Sequence, residues 1–363
     1  MTTTAEHVTA TTEDEAAVEA FVERFVTDLA GAASTVMTVI GDRLGLYEAM
    51  TGAGPLTADD LAAKTGLHPR LMAEWLAAQT VSEYVVYDPA AQTYALPDAH
   101  AAALSQVDSP AYLVAVAEVV TGQFLMLDRL ETAFRTDGAV PYDAFPGSMF
   151  DAVQRFFRTA YTQELAANWF PAVPGLVPKL ERGARVADVG CGQGFATLLI
   201  GRTWPAATVT GFDLHEPSIA SARAAAIEAG SPENVTFRVA DAADIGPGPY
   251  DVVVYFDSLH DMGDPPAALR RAYELLADGG IVVAVEPWSI DRLEDGIGNL
   301  SLRIDYSGST SLCTPGSLAQ PGRYGLGTLG GPSKRIDLLT QAGFQDAALV
   351  ADTGSNLVLA ARK

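Results

Sequence analysis

The sequence predicts an α/β chain: a doubly wound parallel sheet in its C-terminal half, preceded by a mainly helical region. Three observations carry this. Short β-type runs at 186–189, 207–212, 235–239, 252–255 and 281–285 alternate with helical patterns at 195–204, 217–229 and 266–277, as parallel strands joined by crossover helices do. The first run breaks into Gly190, Gly192 and Gly194 directly before its helix. Upstream of 181, apolar residues recur mostly at helical spacing.

Composition bounds the function. The 363 residues give room for two domains, and 48% apolar with 19% charged residues suits a globular chain with a sizeable core. A formal charge of −22 argues against a nucleic-acid backbone or an anionic membrane as partner, since both need clustered Lys and Arg. Two cysteines, Cys191 and Cys313, give neither a disulfide framework nor a cysteine-rich metal cluster, so no metal is expected. The start of the chain lacks signal-peptide chemistry and no apolar run reaches membrane-spanning length, so a cytoplasmic protein is expected.

Taken in order, residues 1–12 are Thr-rich and expected to fray. Helices are expected over 13–30 and 32–50, the second with Met37, Ile40, Leu44 and Tyr47 on one stripe. Thr57 and Asp60 form a capping-box pattern opening a helix over 59–65, and Pro69 opens another to about 79. Runs at 84–87 and 93–96 around an Asp-Pro turn read as a hairpin. Helix–turn–helix plus hairpin outlines a winged helix. Residues 1–100, however, hold four basic residues against fifteen acidic ones, and the would-be recognition helix offers only Arg70. Dimerisation therefore suits this domain better than DNA binding. Residues 101–180 read as a helical linker and pocket segment rich in aromatics, with Phe157 and Tyr161 as candidate pocket walls. Within the C-terminal domain at 181–363, the Gly- and Ser-rich stretch 287–331 is aperiodic and reads as a lid-like insertion, with Trp288 and Tyr306 as further candidate pocket residues. Helix resumes over 333–342, and a last strand spans 356–361.

A strand turning sharply into a helix presents backbone N–H groups and a helix dipole's positive end at one spot. Asp188 lies in the first strand, Asp213 closes the second, 23 residues beyond Gly190, and Asp241 follows the third. An acid after the second strand suits two ribose hydroxyls. The Gly-x-Gly-x-Gly spacing departs from the dinucleotide pattern, which wants a small residue where Phe195 stands.

Val-Ala-Asp-Val-Gly-Cys-Gly-Gln-Gly at 186–194, Gly-Phe-Asp at 211–213, Ala-Asp-Ala at 240–242, Asp-Val-Val-Val-Tyr-Phe from Asp251 and Leu-Ala-Asp-Gly-Gly from Leu276 follow one another within about a hundred residues. This series resembles the motifs of S-adenosylmethionine-dependent methyltransferases with a seven-stranded Rossmann-like sheet. The resemblance implies that Asp188, Gly190, Cys191, Gly192 and Gly194 hold the methionine end of S-adenosylmethionine. It further implies Asp213 for the ribose, Asp241 and Ala242 for the adenine, Leu214 on the adenine face and Phe256 near the sulfonium. Ser-Leu-His-Asp-Met-Gly-Asp from Ser258 resembles a segment of plant and actinobacterial small-molecule O-methyltransferases, which carry an N-terminal winged-helix dimerisation domain. There the histidine is the general base, so His260 becomes the candidate base, with Asp261 or Glu286 to orient it. An imidazole titrating near neutrality suits that task. Met262 departs from the plant pattern, which has Trp there.

The expected function is methyl transfer to a small aromatic or apolar metabolite of secondary metabolism by a homodimer, at oxygen first, with carbon or nitrogen open. Two alternatives stand: a cofactor-sensing winged-helix regulator on DNA, and a methyltransferase scaffold with non-methylating chemistry.

Overall fold

A computed structural model describes residues 12–363. The start expected to fray lies outside the described residues, apart from Thr12. The chain divides into two compact units, one ending at Thr121 and the other from Gly122 to Lys363. The division falls inside the segment 101–180 that the sequence groups as a linker.

In the first unit, α1 (Thr12–Arg43) runs unbroken through Gly31, so the two helices expected around that glycine are one. A single helical glycine costs only about 1 kcal/mol against alanine, which the flanking residues outweigh. The break comes instead at Gly45, whose φ of +64° leads into α2 (Leu46–Met50). The capping box at Thr57 and Asp60 opens α3 (Ala58–Thr65), and Pro69 occupies the first turn of α4 (Pro69–Val81). Strands β1 (Val86–Asp88) and β2 (Thr93–Ala95) pair antiparallel around Tyr87 and Tyr94, and α5 (Asp98–Leu104) follows. Tyr47, Leu61, Trp75 and Leu76 form the core. The outward face of α1 leaves Val18, Phe21, Val22, Phe25, Val26 and Leu29 exposed.

Helix α6 (Val114–Leu125) contains the division between units, and α7 (Leu127–Arg135) and α8 (Gly147–Glu164) follow. After α8 a π-helical turn, Leu165–Trp169, precedes α9 (Leu176–Glu181). The sheet then builds as β3 (Arg185–Val189), α10 (Phe195–Thr203), β4 (Thr208–Asp213), α11 (Glu216–Glu228), β5 (Val235–Val239), β6 (Tyr250–Phe256), α12 (Pro265–Leu275) and β7 (Leu276–Pro287). Its strand order is β5-β4-β3-β6-β7-β9-β8, closed by β8 (Gln345–Asp352) and β9 (Asn356–Arg362). β9 runs antiparallel to both neighbours, and the remaining pairs are parallel. β8 escapes sequence detection because it is an edge strand with mixed exposure and bulged pairing. Sequence order reverses between β3 and β6, where such sheets bind ligands beyond the strands' carboxyl ends.

The stretch 287–331 differs from its expectation. α13 (Leu300–Gly308), a π-turn Ser309–Cys313 and α14 (Thr314–Leu318) succeed one another with helical φ and ψ, and α15 (Pro332–Gln341) completes the helices. Pro315, Gly308 and Gly316 depress helix propensity there. Ser307, Thr310 and Ser311 bond to carbonyls four residues back, so no apolar stripe appears.

Alternation along the strands divides the core. Val186, Val252 and Val254 face one side with Leu199 and Ile200 of α10, while Ala187, Val253 and Tyr255 face Ala268 and Leu269 of α12. By the same period of two, Asp188 points to the α10 side. Trp169 is fully buried there against Tyr161 and Phe256. Replacing Trp169 by Ala should destabilise this unit by about 3–5 kcal/mol, read as a lowered urea midpoint for the unfolding of the 122–363 unit.

Candidate active site

Gly190, Gly192 and Gly194 have φ of +78°, +53° and +83°. Gly190 and Cys191 both donate to the Phe212 carbonyl, at 2.7 and 3.0 Å, which fastens the turn to β4. A Cβ at Gly190 would stand 2.5 Å from Ser258 Cβ, and one at Gly194 2.6 Å from the Phe237 ring. At Gly192 nothing lies within 4 Å, so that backbone is open to a ligand. Asp213 takes the Gly192 N–H at 2.9 Å on Oδ2 and the His215 N–H at 2.8 Å on Oδ1. These bonds fix the carboxylate across the turn, and burial raises its pKa.

Asp188 is completely buried. Thr197 of α10 donates to its Oδ2 at 2.6 Å, while Oδ1 has no hydrogen-bond partner. Burial pushes the group up to about 7, partly countered by Thr197. An orphaned carboxylate oxygen beside an open glycine is what a ligand's ammonium group would satisfy.

A cavity of about 460 Å³ opens from this turn. The structure brings all ten sequence-predicted cofactor residues to its wall: Asp188, Gly190, Cys191, Gly192, Gly194, Asp213, Leu214, Asp241, Ala242 and Phe256. Of the four predicted substrate residues, Phe157 and Tyr161 line it. Trp288 does not: it follows β7 to the β8–β9 turn, where its backbone N–H donates to Ser355 and its Nε1 to Asp352. Tyr306 lies on α13, also away from the lining. Trp288 is held at the β8–β9 turn and Tyr306 lies on a helix, so this stretch reaches the cavity through Gln320, Pro321 and Gly322 instead.

His260 is buried in the short turn after β6 and does not line the cavity, whereas Asp261 does. Glu286, at the end of β7, holds His260 Nδ1 at 2.8 Å, and Asp261 Oδ1 lies 3.2 Å from Nε2. Burial opposes protonation of the imidazole, but Asp261 and Glu286 outweigh it and raise its pKa well above the ordinary value. The near-neutral imidazole facing substrate, expected from the sequence, is thus replaced by one set between two carboxylates, with Asp261 presented to the cavity. Tyr142 donates to Asp261 Oδ2 at 2.9 Å.

Sequence reasoning missed Asp257, Tyr142, Gln320 and Arg335. Asp257 follows Phe256 with a φ of +47° and lines the cavity, bonded by Tyr161 Oη at 2.9 Å and Asn356 Nδ2 at 3.1 Å. Burial, then the nearby Glu286 charge, pushes it up to about 8. Its position just past a parallel strand was the available signal. Gln320 ties 287–331 to the site, accepting from Gly263 and donating to the Asp261 carbonyl. Tyr142, Gln320 and the buried Arg335 have no local sequence signature.

The fold and site together define the class of protein. Residues 180–306 match the family described as "Methyltransferase domain", and 32–106 match the "Rv2258c-like winged HTH domain". The chain therefore joins a winged helix-turn-helix domain to a methyltransferase domain. Among individual proteins, it is 31% identical over 142 residues to a ubiquinone biosynthesis O-methyltransferase of Pseudomonas savastanoi, covering 39% of this chain and 58% of that one. It is 36% identical over 117 residues to a trans-aconitate 2-methyltransferase of Streptomyces avermitilis, covering 32% and 44%. The chain thus spans about half the length of these curated relatives. Human N-acetylserotonin methyltransferase, solved with S-adenosylmethionine, shares the fold over 94% of this chain and 97% of its own, with a TM-score of 0.70 and 20% identity. Among the described residues no helix is long and apolar enough to cross a membrane.

Gly190 has no latitude in this turn. Gly190→Ala should cost at least about 1–2 kcal/mol in backbone strain alone and displace Ser258, so the melting temperature should fall; an unchanged melting temperature would refute the crowding.

Proposed function

We propose that this chain is an S-adenosylmethionine-dependent methyltransferase acting on a small, neutral or cationic aromatic metabolite, with a hydroxyl as the first choice of acceptor. The observation that carries the reading is the unpaired Oδ1 of buried Asp188 beside the open Gly192 turn, with Asp213 fixed opposite. Asp188 would hold the cofactor's ammonium group and Asp213 its ribose. Asp241, Ala242 and Leu214 would enclose the adenine, and Phe256 would flank the sulfonium. When bound, the cofactor supplies an electrophilic methyl group for in-line displacement, so the protein's main task is alignment.

The acceptor end supports the substrate class. Tyr142 stacks on Phe150 at 5.7 Å and Phe157 on Tyr161 at 5.8 Å, giving flat apolar walls. Seven aspartates and no Lys or Arg are among the lining residues. An acceptor bearing carboxylate or phosphate would find no Lys or Arg in the lining to pair with, so a polyanion such as aconitate does not suit this cavity. A hydroxyl's proton would leave toward Asp261, with His260 behind it and Glu286 holding the imidazole. The exposed apolar face of α1 supports a homodimer formed through the first unit. In α4 the lone Arg70 is paired with Glu74, which supports dimerisation over DNA binding.

Calorimetry tests the cofactor: S-adenosylmethionine should bind, and binding of NADH alone would end this reading. Because Asp188 is raised to about 7, it is mostly protonated at pH 6 and must ionise to hold an ammonium group. Affinity should therefore fall as pH drops through about 7. Near pH 6 binding should release up to about one proton, seen by comparing buffers of different ionisation enthalpy; no release, or the same release from Asp188→Asn, contradicts the assignment. His260→Gln and Asp261→Asn should each lower turnover about 10²- to 10⁴-fold while cofactor affinity changes far less. Near-normal turnover in both removes the pair from proton transfer.

A further inference from the structure

We infer that His260, Asp261 and Cys313 form a binding site for one borderline-soft divalent cation of the Zn²⁺ class, at the cavity wall. The site does not depend on which reaction the protein catalyses.

The geometry begins with an unsatisfied atom. Asp261 Oδ2 takes the Tyr142 hydroxyl, but the buried Oδ1 has no hydrogen bond, although His260 Nε2 stands 3.2 Å away. The protonated imidazole can form an ion pair with this oxygen, but the two atoms lack hydrogen-bond alignment and are also placed like neighbours around a third body. Donors bound at about 2.0–2.1 Å in a tetrahedron lie about 3.3–3.4 Å apart, which the pair nearly matches. Cys313 Sγ completes the group: the three donor atoms lie within 4.8 Å of one another.

The surroundings are those of a metal ligand set. Glu286 Oε2 takes His260 Nδ1 at 2.8 Å, so Nε2 becomes the donor once the incoming cation displaces its proton together with that of Cys313, and a carboxylate behind a ligating imidazole both orients it and raises its basicity. Glu286 is itself fixed by the Leu259 N–H at 3.0 Å. Cys313 is the last residue of the π-turn between α13 and α14, a distortion frequent at functional positions. One sulfur, one imidazole and one carboxylate suit Zn²⁺ or Co²⁺ and not Mg²⁺ or Ca²⁺, which want oxygen throughout. Three protein donors leave a fourth position for water or a ligand. An occupied site withdraws His260 and Asp261 from the proton transfer proposed above, so the loaded protein should be the less active form.

Co²⁺ titration of the full, untagged chain tests this. Cys191 and Cys313 are the only cysteines, so a thiolate-to-cobalt charge-transfer band must come from one of them. We expect one equivalent of Co²⁺ to produce the band in wild-type protein and in Cys191→Ser, Zn²⁺ to bleach it, and Cys313→Ser to abolish it. Glu286→Gln should weaken binding about 10- to 100-fold. Should Cys313→Ser fail to fold, alkylation of Cys191→Ser reports on the same thiol, and Zn²⁺ should protect it. Absence of the band in folded wild-type protein, its loss in Cys191→Ser with retention in Cys313→Ser, or alkylation unaffected by Zn²⁺ would overturn the site. These readouts are blind to methyl transfer, so failure of the metal site leaves the functional reading standing, and failure of the latter leaves the site testable.

Discussion

Glu286 is the charge on which the acceptor side of this site depends. Its side chain is fully buried at the end of β7, where an unpaired carboxylate would cost several kcal/mol. Donors from three directions offset that cost. The backbone N–H groups of Ser258, Leu259 and His260 point to it at 3.3, 3.0 and 3.3 Å, His260 Nδ1 at 2.8 Å, and Arg335 Nε lies 3.5 Å away. Burial alone would raise its pKa, but His260 and then Arg335 outweigh burial and hold it below the ordinary value. One anion thus shapes the turn after β6, orients the imidazole and anchors α15. Ser258, from the same turn, closes onto the glycine turn through the Val189 carbonyl at 2.8 Å. The cofactor end and the acceptor end of the cavity meet through that bond.

How much of this was legible in the sequence follows from how local the signals are. The turns after parallel strands announce themselves, because glycine and aspartate are required within a few residues of a β-type run. Asp188, Gly190, Gly192, Gly194, Asp213 and Asp241 all reach the cavity, as do Cys191, Leu214, Ala242 and Phe256, which the resemblance implied. The capping box at Thr57 was legible for the same reason. What failed was non-local. Helices 300–318, whose Ser and Thr side chains bond back to their own carbonyls, are held by contact with the loop after β6, where Ser317 donates to the Met262 carbonyl and Gln320 brackets Asp261. Neither feature leaves an apolar period, so the stretch read as a lid and Trp288 and Tyr306 were placed in the pocket. Arg335 and Cys313 were invisible because the site residues they face, Glu286 for the one and His260 and Asp261 for the other, lie about fifty residues away.

The cavity's charge also bears on the direction of the proposed reaction. A sulfonium donor enters a wall of aspartates as a cation, and after transfer it leaves without that charge. Part of the electrostatic attraction that helps it in is therefore absent on the way out. Asp188 and Asp257, both pushed up by burial, gain from a nearby positive charge.

The π-turn at Ser309–Cys313 has a consequence for how such a site changes over evolutionary time. It holds one residue more than an α-helical turn would, so its existence depends on length as well as on residue identity. Losing a single codon within it would let the helix regularise and swing Cys313 by about 100° around the axis, away from His260, with every ligand residue still encoded. Chains of this build could gain or lose the third donor by an indel that leaves their motifs intact, and substitution counts alone would miss the difference.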